Sequence, residues 1–381
     1  MTYSSRTRSL SSFATDLSWT DTAELVGLTF ELTPRNAPLL SPDYSKGLHA
    51  WFLDQVRQTN PSLSQELHDE QTEKPFTLSR LEGEFSEVGQ RLELHPNQIY
   101  RWSVTAISAH VIQWMKDWFS TFPETLDLRG APLHFRSVAF CLPPTTYSQL
   151  FSAPLAKILP LSFLSPTSFR HRGHHFPLPV PRNLFHSYLR RWNIFSNRPF
   201  DQETFLDWID EFVVITSLSL QSHKVPGGKK GAVTGFTGAI SLSLPSILSS
   251  PEDFAQLYSA LGHFAPYCGT GHKTTFGLGQ TRLTRLVSGE KELFSTSRSV
   301  SLEEQLAQRI EQLTEIFLQH QKRTGGTRAL QVCRTRATIL ARREFGDSLS
   351  AIATDLEMPY ETVKTYAKLA RRLFSINCNM V

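Results

Sequence analysis

The chain is poor in cysteine and has no long apolar run. Its 381 residues include four scattered cysteines, Cys141, Cys268, Cys333 and Cys378, with no C-x-x-C pair among them. This pattern argues against a disulfide framework or a cysteine-based zinc site, and we expect a reducing, cytoplasmic setting. No segment approaches the roughly 18 consecutive apolar residues of a membrane span. The polar, serine-rich first residues lack the apolar core of a secretory signal, so we expect no membrane partner.

The common nucleotide-binding motifs are also missing, although one stretch is rich in glycine. Residues 262–283 read GHFAPYCGTGHKTTFGLGQTRL, with two G-x-G units five residues apart. This is neither G-x-x-x-x-G-K-[ST] nor G-x-G-x-x-G opening a helix, since a strand-like segment follows. A glycine-rich loop between helix and strand can bring backbone N–H groups close to a phosphate. We therefore predict a phosphate-backbone contact here, with a flexible surface loop as the alternative.

Positive charge is concentrated towards the end of the chain. The net charge is +4, yet eleven Lys and Arg stand against five Asp and Glu from Lys322 onward. The preceding part is therefore slightly acidic. A basic concentration of this kind is what contact with a nucleic acid requires.

The order of predicted elements indicates an α+β fold. Strand-like residues 21–34 precede helical residues 45–60 and 61–70, two strand-like segments, the helical HVIQWMKDWFSTF and the strand-like LHFRSVAFCL. This β-α-β-β-α-β order is ferredoxin-like. A similar order recurs from LPLSFLSPTSFR to QTRLTRLV. We predict two tandem ferredoxin-like (RRM-like, RAMP) domains, 1–145 and 146–295, followed by a small all-α domain, 296–381.

The last predicted domain reads as a long helix followed by a helix-turn-helix. The three segments are ALQVCRTRATILARREF, SLSAIATDL and PYETVKTYAKLARRLF. A recognition helix of this type enters the major groove of DNA. The candidate DNA contacts are Thr362, Lys364, Thr365 and Lys368. The alternative is a small helical bundle with a solvated basic face.

Two histidines and a lysine in the first domain could carry chemistry. His68 ends a predicted helix six residues before Lys74, and His49 lies on the preceding helix. One imidazole can accept the proton of a 2′-hydroxyl, a second donor can protonate the leaving 5′-oxygen, and a lysine can stabilise the phosphoryl oxygens. The alternative is that these histidines are packed or surface residues, since the chain has 13 histidines.

Basic loops in the second domain are candidate RNA contacts. One loop, SPTSFRHRGHHFPLPVP, carries Arg170, Arg172 and three histidines; another, VPGGKKG, carries Lys229 and Lys230. The three histidines lack nearby cysteine or acidic ligands, so we expect no metal site and no cofactor. The full set of predicted RNA contacts is Gly269, Gly271, His272, Lys273, Thr274, Gly277, Gly279, Lys229, Lys230, Arg170 and Arg172.

With these segments in view, the chain resembles the CRISPR-associated repeat-RNA endoribonucleases (the Cas-six family of the RAMP superfamily). The resemblance covers about residues 21–290. It rests on G-L-H-A-x-F-L at 47–53, N-P-S-L-x-x-x-L-H at 60–68, F-T-L-S at 76–79, S-P-T-S-F at 165–169, G-F-T-G at 235–238 and G-x-G…F-G-L-G at 269–279. The last of these is the most specific.

The resemblance implies an activity and a set of roles. Members of the family cleave repeat RNA without metal and leave a 2′,3′-cyclic phosphate, and some pass the product to an interference complex. The family's catalytic histidine carries over onto His68 and its lysine onto Lys74. A tyrosine often found on the first helix is replaced by Leu53, so His49 becomes the second acid or base.

We therefore expect a metal-independent endoribonuclease that matures CRISPR RNA. Two alternatives remain at this point. One is a non-cleaving subunit that binds repeat RNA within a CRISPR effector complex. The other is a DNA-binding regulator that uses the C-terminal helix-turn-helix.

Overall fold

The computed structural model describes residues 17, 19–20, 22–68, 73–171, 174–226, 232–244, 252–284, 302–319 and 327–377. Over these ranges the chain forms two sheet-and-helix units followed by helices. None of the described helices is long and apolar enough to cross a bilayer.

The first unit is an antiparallel sheet with helices on one face. Its strands are β1 (Leu25–Pro34), β3 (Phe76–Leu78), β6 (Tyr100–Ala106), β7 (Thr125–Asp127) and β8 (Pro132–Thr145); its helices are α1 (Tyr44–Thr59), α2 (Pro61–His68) and α3 (Ala109–Trp118). The strand order is β3-β6-β1-β8-β7. In the predicted β-α-β-β-α-β pattern, β1, β3, β6 and β8 are the first, second, third and fourth strands. Their order across the sheet is therefore second, third, first, fourth, as a ferredoxin-like sheet requires. A small sheet of β2 (Leu39–Leu40), β4 (Phe85–Val88) and β5 (Arg91–Leu94) is added beside it.

Side-chain spacing explains how the helices cover this sheet. Leu48, Phe52 and Val56 follow one another every four residues along α1, and all three are buried. They share a core with alternate residues of β1, including Leu28 and Phe30. Thr29 and Glu31 point to the opposite face, because successive strand residues alternate between faces.

The second unit repeats the arrangement. A short helix, α4 (Tyr147–Phe151), leads into it. Its elements are β9 (Ile158–Thr167), the hairpin β10 (Phe169–His171) and β11 (His174–Phe176), α5 (Pro181–Phe195), α6 (Gln202–Phe212), β12 (Val214–Pro226), β13 (Ala232–Ser243), α7 (Glu252–Cys268) and β14 (Thr281–Leu283). The strand order is β12-β13-β9-β14, again second, third, first, fourth. The predicted pair of ferredoxin-like units is confirmed.

Four helices follow in the described residues, as the sequence predicts: α8 (Leu302–Gln319), α9 (Thr327–Glu344), α10 (Leu349–Leu356) and α11 (Tyr360–Asn377). Helices α8 and α9 contribute Leu313, Phe317 and Leu340 to the core of the first unit. Glu311 of α8 forms an ion pair with Lys224 of β12, so α8 also touches the second unit. The proposed boundary near residue 296 lies outside the described residues, and the domain limits stay predictions.

Candidate active site

His49 lies where the first unit meets the glycine-rich loop of the second. It is on the second turn of α1, and its ring stacks on Phe276, with centroids 4.1 Å apart and planes at 24°. Phe76, the first residue of β3, lies on the same ring cluster at 6.3 Å from His49. The imidazole is therefore held between aromatic rings contributed by both units.

The surroundings of His49 keep it neutral. Its pKa falls from the ordinary 6.5 to about 4, chiefly because burial disfavours the charged imidazolium and secondly because His68 and Lys74 add positive charge nearby. His68 and Lys74 therefore lie within electrostatic range of His49. His68, the last residue of α2, is exposed; Lys74, just before β3, is half-buried. The structure thus brings together the three predicted catalytic residues from three separate segments.

Glycines let the loop press against its neighbours. Gly277 has a φ of 78°, and a Cβ there would lie 2.5 Å from the side chain and 3.2 Å from the backbone nitrogen of Arg80 in the first unit. Gly279, with φ of 69°, would collide with the carbonyl oxygen of Thr270 at 1.9 Å. A larger residue at Gly277 would push the loop away from Arg80, and one at Gly279 would disrupt the packing within the loop.

A buried arginine ties this loop to the segment that carries Lys74. Arg191 of α5 is only 4% exposed. Its guanidinium donates to the carbonyl oxygens of Gly269 at 3.2 Å and Gly271 at 2.8 Å, and to the carboxylate of Glu73 at 3.1 Å. Glu73 precedes Lys74 directly and also pairs with Arg190 at 2.6 Å. Arg191, Glu73 and Phe276 are not among the residues that the sequence predicts.

The buried arginine leaves a weak signal in the sequence. Arg191 falls between Tyr188 and Trp192 on the buried stripe of an amphipathic helix. A charged residue at such a position is almost never buried without a partner, so it predicts a structural ion pair. For Phe276, the sequence gives no signal except its position between the glycines of the loop.

Several of the predicted RNA contacts form one cluster beside the loop. The rings of His175 and His272 stack with centroids 5.0 Å apart, and burial lowers the pKa of each to about 4. Nearby Lys273 and Arg170 add positive charge and lower both values further. The Nε2 atom of His272 and the Nδ1 atom of His175 have no hydrogen-bond partner among the described residues.

Other predicted contacts are placed differently. Thr274 and the four loop glycines are buried, so His272 and Lys273 are the predicted loop contacts that stay partly exposed. Arg172, Lys229 and Lys230 lie outside the described residues. Within the described ranges, no group of three or more histidine, cysteine or acidic side chains is arranged to hold a metal ion.

A cleft of about 600 Å³ opens between the two units on the other side of the loop. Its walls come from β3 and β6 of the first unit and from α7, the glycine-rich loop and β14 of the second. Thr105 donates a hydrogen bond to the carbonyl oxygen of Tyr267 at 2.5 Å across the junction. Arg101 and Arg282 lie among the lining residues.

Two ferredoxin-like units in one chain, with a glycine-rich loop between the last helix and strand, define a RAMP-type protein. A family model described as the CRISPR Cas6 N-terminal domain matches residues 26–119, and one described as CRISPR-associated endoribonuclease Cas6 matches residues 161–281. Together the two matches span more than half of the chain. The chain belongs to the Cas6 family.

Individual relatives agree with this assignment. A CRISPR-associated endoribonuclease Cas6 of Mycobacterium tuberculosis is 25% identical over 150 residues, which cover 39% of this chain and 46% of the relative. One of Streptococcus thermophilus is 25% identical over 122 residues, 32% of this chain and 48% of the relative. The chain thus spans about half the length of the curated relatives it matches.

Solved structures extend the likeness over both units. A Cas6 product complex is 28% identical, with a TM-score of 0.53, and the match covers 68% of this chain and 99% of that one. Thermus thermophilus Cas6 is 24% identical, with a TM-score of 0.51 over 68% of this chain and 98% of that one, and shows the fold.

Proposed function

We propose that this protein is a metal-independent endoribonuclease that cleaves CRISPR repeat RNA in the cytoplasm to release guide RNA. The observation that carries the proposal is the convergence of His49, His68 and Lys74 beside the glycine-rich loop. Two imidazoles and an ammonium group supply all the acid, base and electrostatic functions that RNA cleavage needs. The relatives named as CRISPR-associated endoribonucleases support the same substrate.

The geometry suggests how the roles divide. Burial lowers the pKa of His49 to about 4 and keeps it neutral at pH 7, so we assign it as the base that accepts the 2′-hydroxyl proton. The 2′-oxygen then attacks the adjacent phosphorus, and the bond from phosphorus to the 5′-oxygen breaks. His68 donates a proton to that departing oxygen. Lys74 stabilises the charge on the non-bridging oxygens, and the products carry a 2′,3′-cyclic phosphate and a 5′-hydroxyl.

RNA binding would use the cluster beside the loop. His272, Lys273 and Arg170 combine partly exposed polar atoms with positive charge. The cleaved guide RNA would then be available to a CRISPR effector complex.

The test is cleavage of end-labelled repeat RNA in excess EDTA. We expect one cut, and no cut in a substrate with a 2′-deoxy residue at the cleavage site. His68→Ala should slow the reaction by about 10²–10⁴-fold, the usual contribution of a general acid or base, with RNA affinity within a few-fold of the wild type.

The matched control is His110→Ala, which removes an exposed histidine from the same unit and should cleave normally. Cleavage by His68→Ala at the wild-type rate would overturn the assignment. Tight binding without any cut by the wild type would instead identify a repeat-binding subunit.

A further inference from the structure

We propose that the C-terminal helices bind duplex DNA, with α11 in the major groove. This function goes beyond RNA cleavage and depends on a different surface. None of the catalytic candidates lies on these helices.

Helices α10 and α11 form a helix-turn-helix with a defined turn. Ser348 caps α10 by accepting a hydrogen bond from the N–H of Ala351 at 3.1 Å. The helix ends at Glu357, whose φ of 51° is left-handed and reverses the chain. Helix α11 begins at Tyr360, after Pro359. The turn between the two helices is therefore as short as this motif requires.

A small core fixes the angle of α11. Ile352 and Leu356 of α10 pack with Val363 and Ala367 of α11 and with Ile339 of α9. These buried residues occupy one side of α11, so the opposite side faces solvent in a fixed direction. A recognition helix needs this rigid support to present its side chains to base edges.

The outer side of α11 is one continuous exposed stripe. Its exposed members are Tyr360, Glu361, Lys364, Thr365, Lys368 and Leu369, which recur every four residues. Tyr360 is 46% exposed and Leu369 is 37% exposed. Lysine and threonine can donate to base edges or phosphates, and leucine can contact the methyl group of thymine. Thr362, the remaining predicted contact, is half-buried.

Charge on this domain is arranged for an anionic partner. Asp347 and Asp355 are bound internally by Arg342, at 2.6 and 2.8 Å, and Arg309 binds Glu344 at 2.7 Å. The exposed stripe carries Lys364 and Lys368, with Glu361 as its acidic residue. Lys364 approaches Glu361 at 3.3 Å, an exposed pair that costs little to break.

Residues of the first unit contact the helix-turn-helix on the side away from the exposed stripe of α11. Arg129 pairs with Asp355 of α10, and Arg91 donates to the carbonyl oxygen of Gly346 at 3.0 Å. These contacts leave the outer side of α11 open. Duplex DNA fits this surface better than duplex RNA, because the major groove of A-form RNA is too narrow to admit a helix.

The experiment is selection of sequences from a random duplex DNA pool with the full-length protein, followed by fluorescence anisotropy on the selected duplex. Truncation is avoided because α8 and α9 share the core of the first unit. We expect the double variant Lys364→Ala, Lys368→Ala to bind at least about ten-fold more weakly. Its salt dependence should also be shallower, by about one unit of slope for each phosphate that the variant no longer neutralises.

The matched control is Lys157→Ala, which removes an exposed lysine from the second unit and should bind DNA normally. Failure to enrich any sequence, or equal binding by the double variant, would overturn the proposal. Equal affinity for the same duplex made of RNA would do so as well. The double variant should still cleave repeat RNA, so this proposal and the nuclease assignment can fail independently.

Discussion

If His49 is the base, the contribution of the base to the cleavage rate should be nearly insensitive to acid until the pH falls well below 5. With a pKa of about 4, His49 is about 90% neutral at pH 5 and almost wholly neutral at pH 7. Protonation removes the base, and because the pKa is lowered the loss comes only as the pH falls through about 4. An ordinary imidazole would lose about 25-fold of its neutral form over the same range of pH 7 to 5.

A modified substrate isolates this step. Replacing the leaving 5′-oxygen by sulfur makes a leaving group that departs without a proton, so the general acid is no longer needed. Single-turnover rates on this RNA report the base alone. We expect the wild type to stay within about 20% between pH 7 and pH 5.

The same substrate assigns the two histidines. His68→Ala should regain most of its activity when sulfur replaces the leaving oxygen, since the missing acid is then dispensable. His49→Ala should remain inactive on both substrates. A fall of about 25-fold between pH 7 and pH 5 in the wild type, or recovery of His49→Ala instead, would refute the reasoning.

Two further predictions concern the contacts around the loop. Phe276→Ala should expose His49 to water and raise the pKa of His49 towards 6.5, which a histidine NMR titration would measure. Cleavage of the sulfur substrate at pH 5 should then be slower. An unchanged pKa would show that Phe276 contributes nothing to the burial of His49. Arg191→Met should destabilise the protein by about 3 kcal/mol in chemical denaturation, because it removes the guanidinium that donates to the Gly269 and Gly271 carbonyls and pairs with Glu73. Arg190→Met, at the exposed neighbour, should cost less than about 1 kcal/mol, and similar losses from both variants would contradict the role of the buried guanidinium.

The sequence predicts the fold well because local patterns of apolar residues determine the helices and strands. Alternation along β1 and the four-residue spacing of Leu48, Phe52 and Val56 each follow from which side of an element is buried. The element order then leaves few topologies, and both sheets have the order expected. The helix-turn-helix was recognisable for the same reason.

The contacts that shape the candidate site are not local. Phe276 reaches His49 across more than 200 residues of sequence. Arg191 joins Glu73, 118 residues before it, to Gly269 and Gly271, which lie 78 and 80 residues after it. The place of Arg191 on the buried stripe of α5 indicates an ion pair, but no local pattern names its partner or the partner of Phe276. The sequence predicts the glycines as contacts for a phosphate, yet the structure shows them buried, where their lack of a side chain permits close packing within the second unit and, at Gly277, against the first. Their proposed contact with RNA stays a prediction.

Helix α8 has a consequence for how a long RNA reaches the site. It buries Leu313 and Phe317 in the core of the first unit, and its Glu311 forms an ion pair with Lys224 of β12 in the second unit. Helix α8 therefore contacts both units. A helix that contacts both units would resist a hinge motion between them. If repeat RNA binds beside the glycine-rich loop, we expect it to enter a groove whose width changes little.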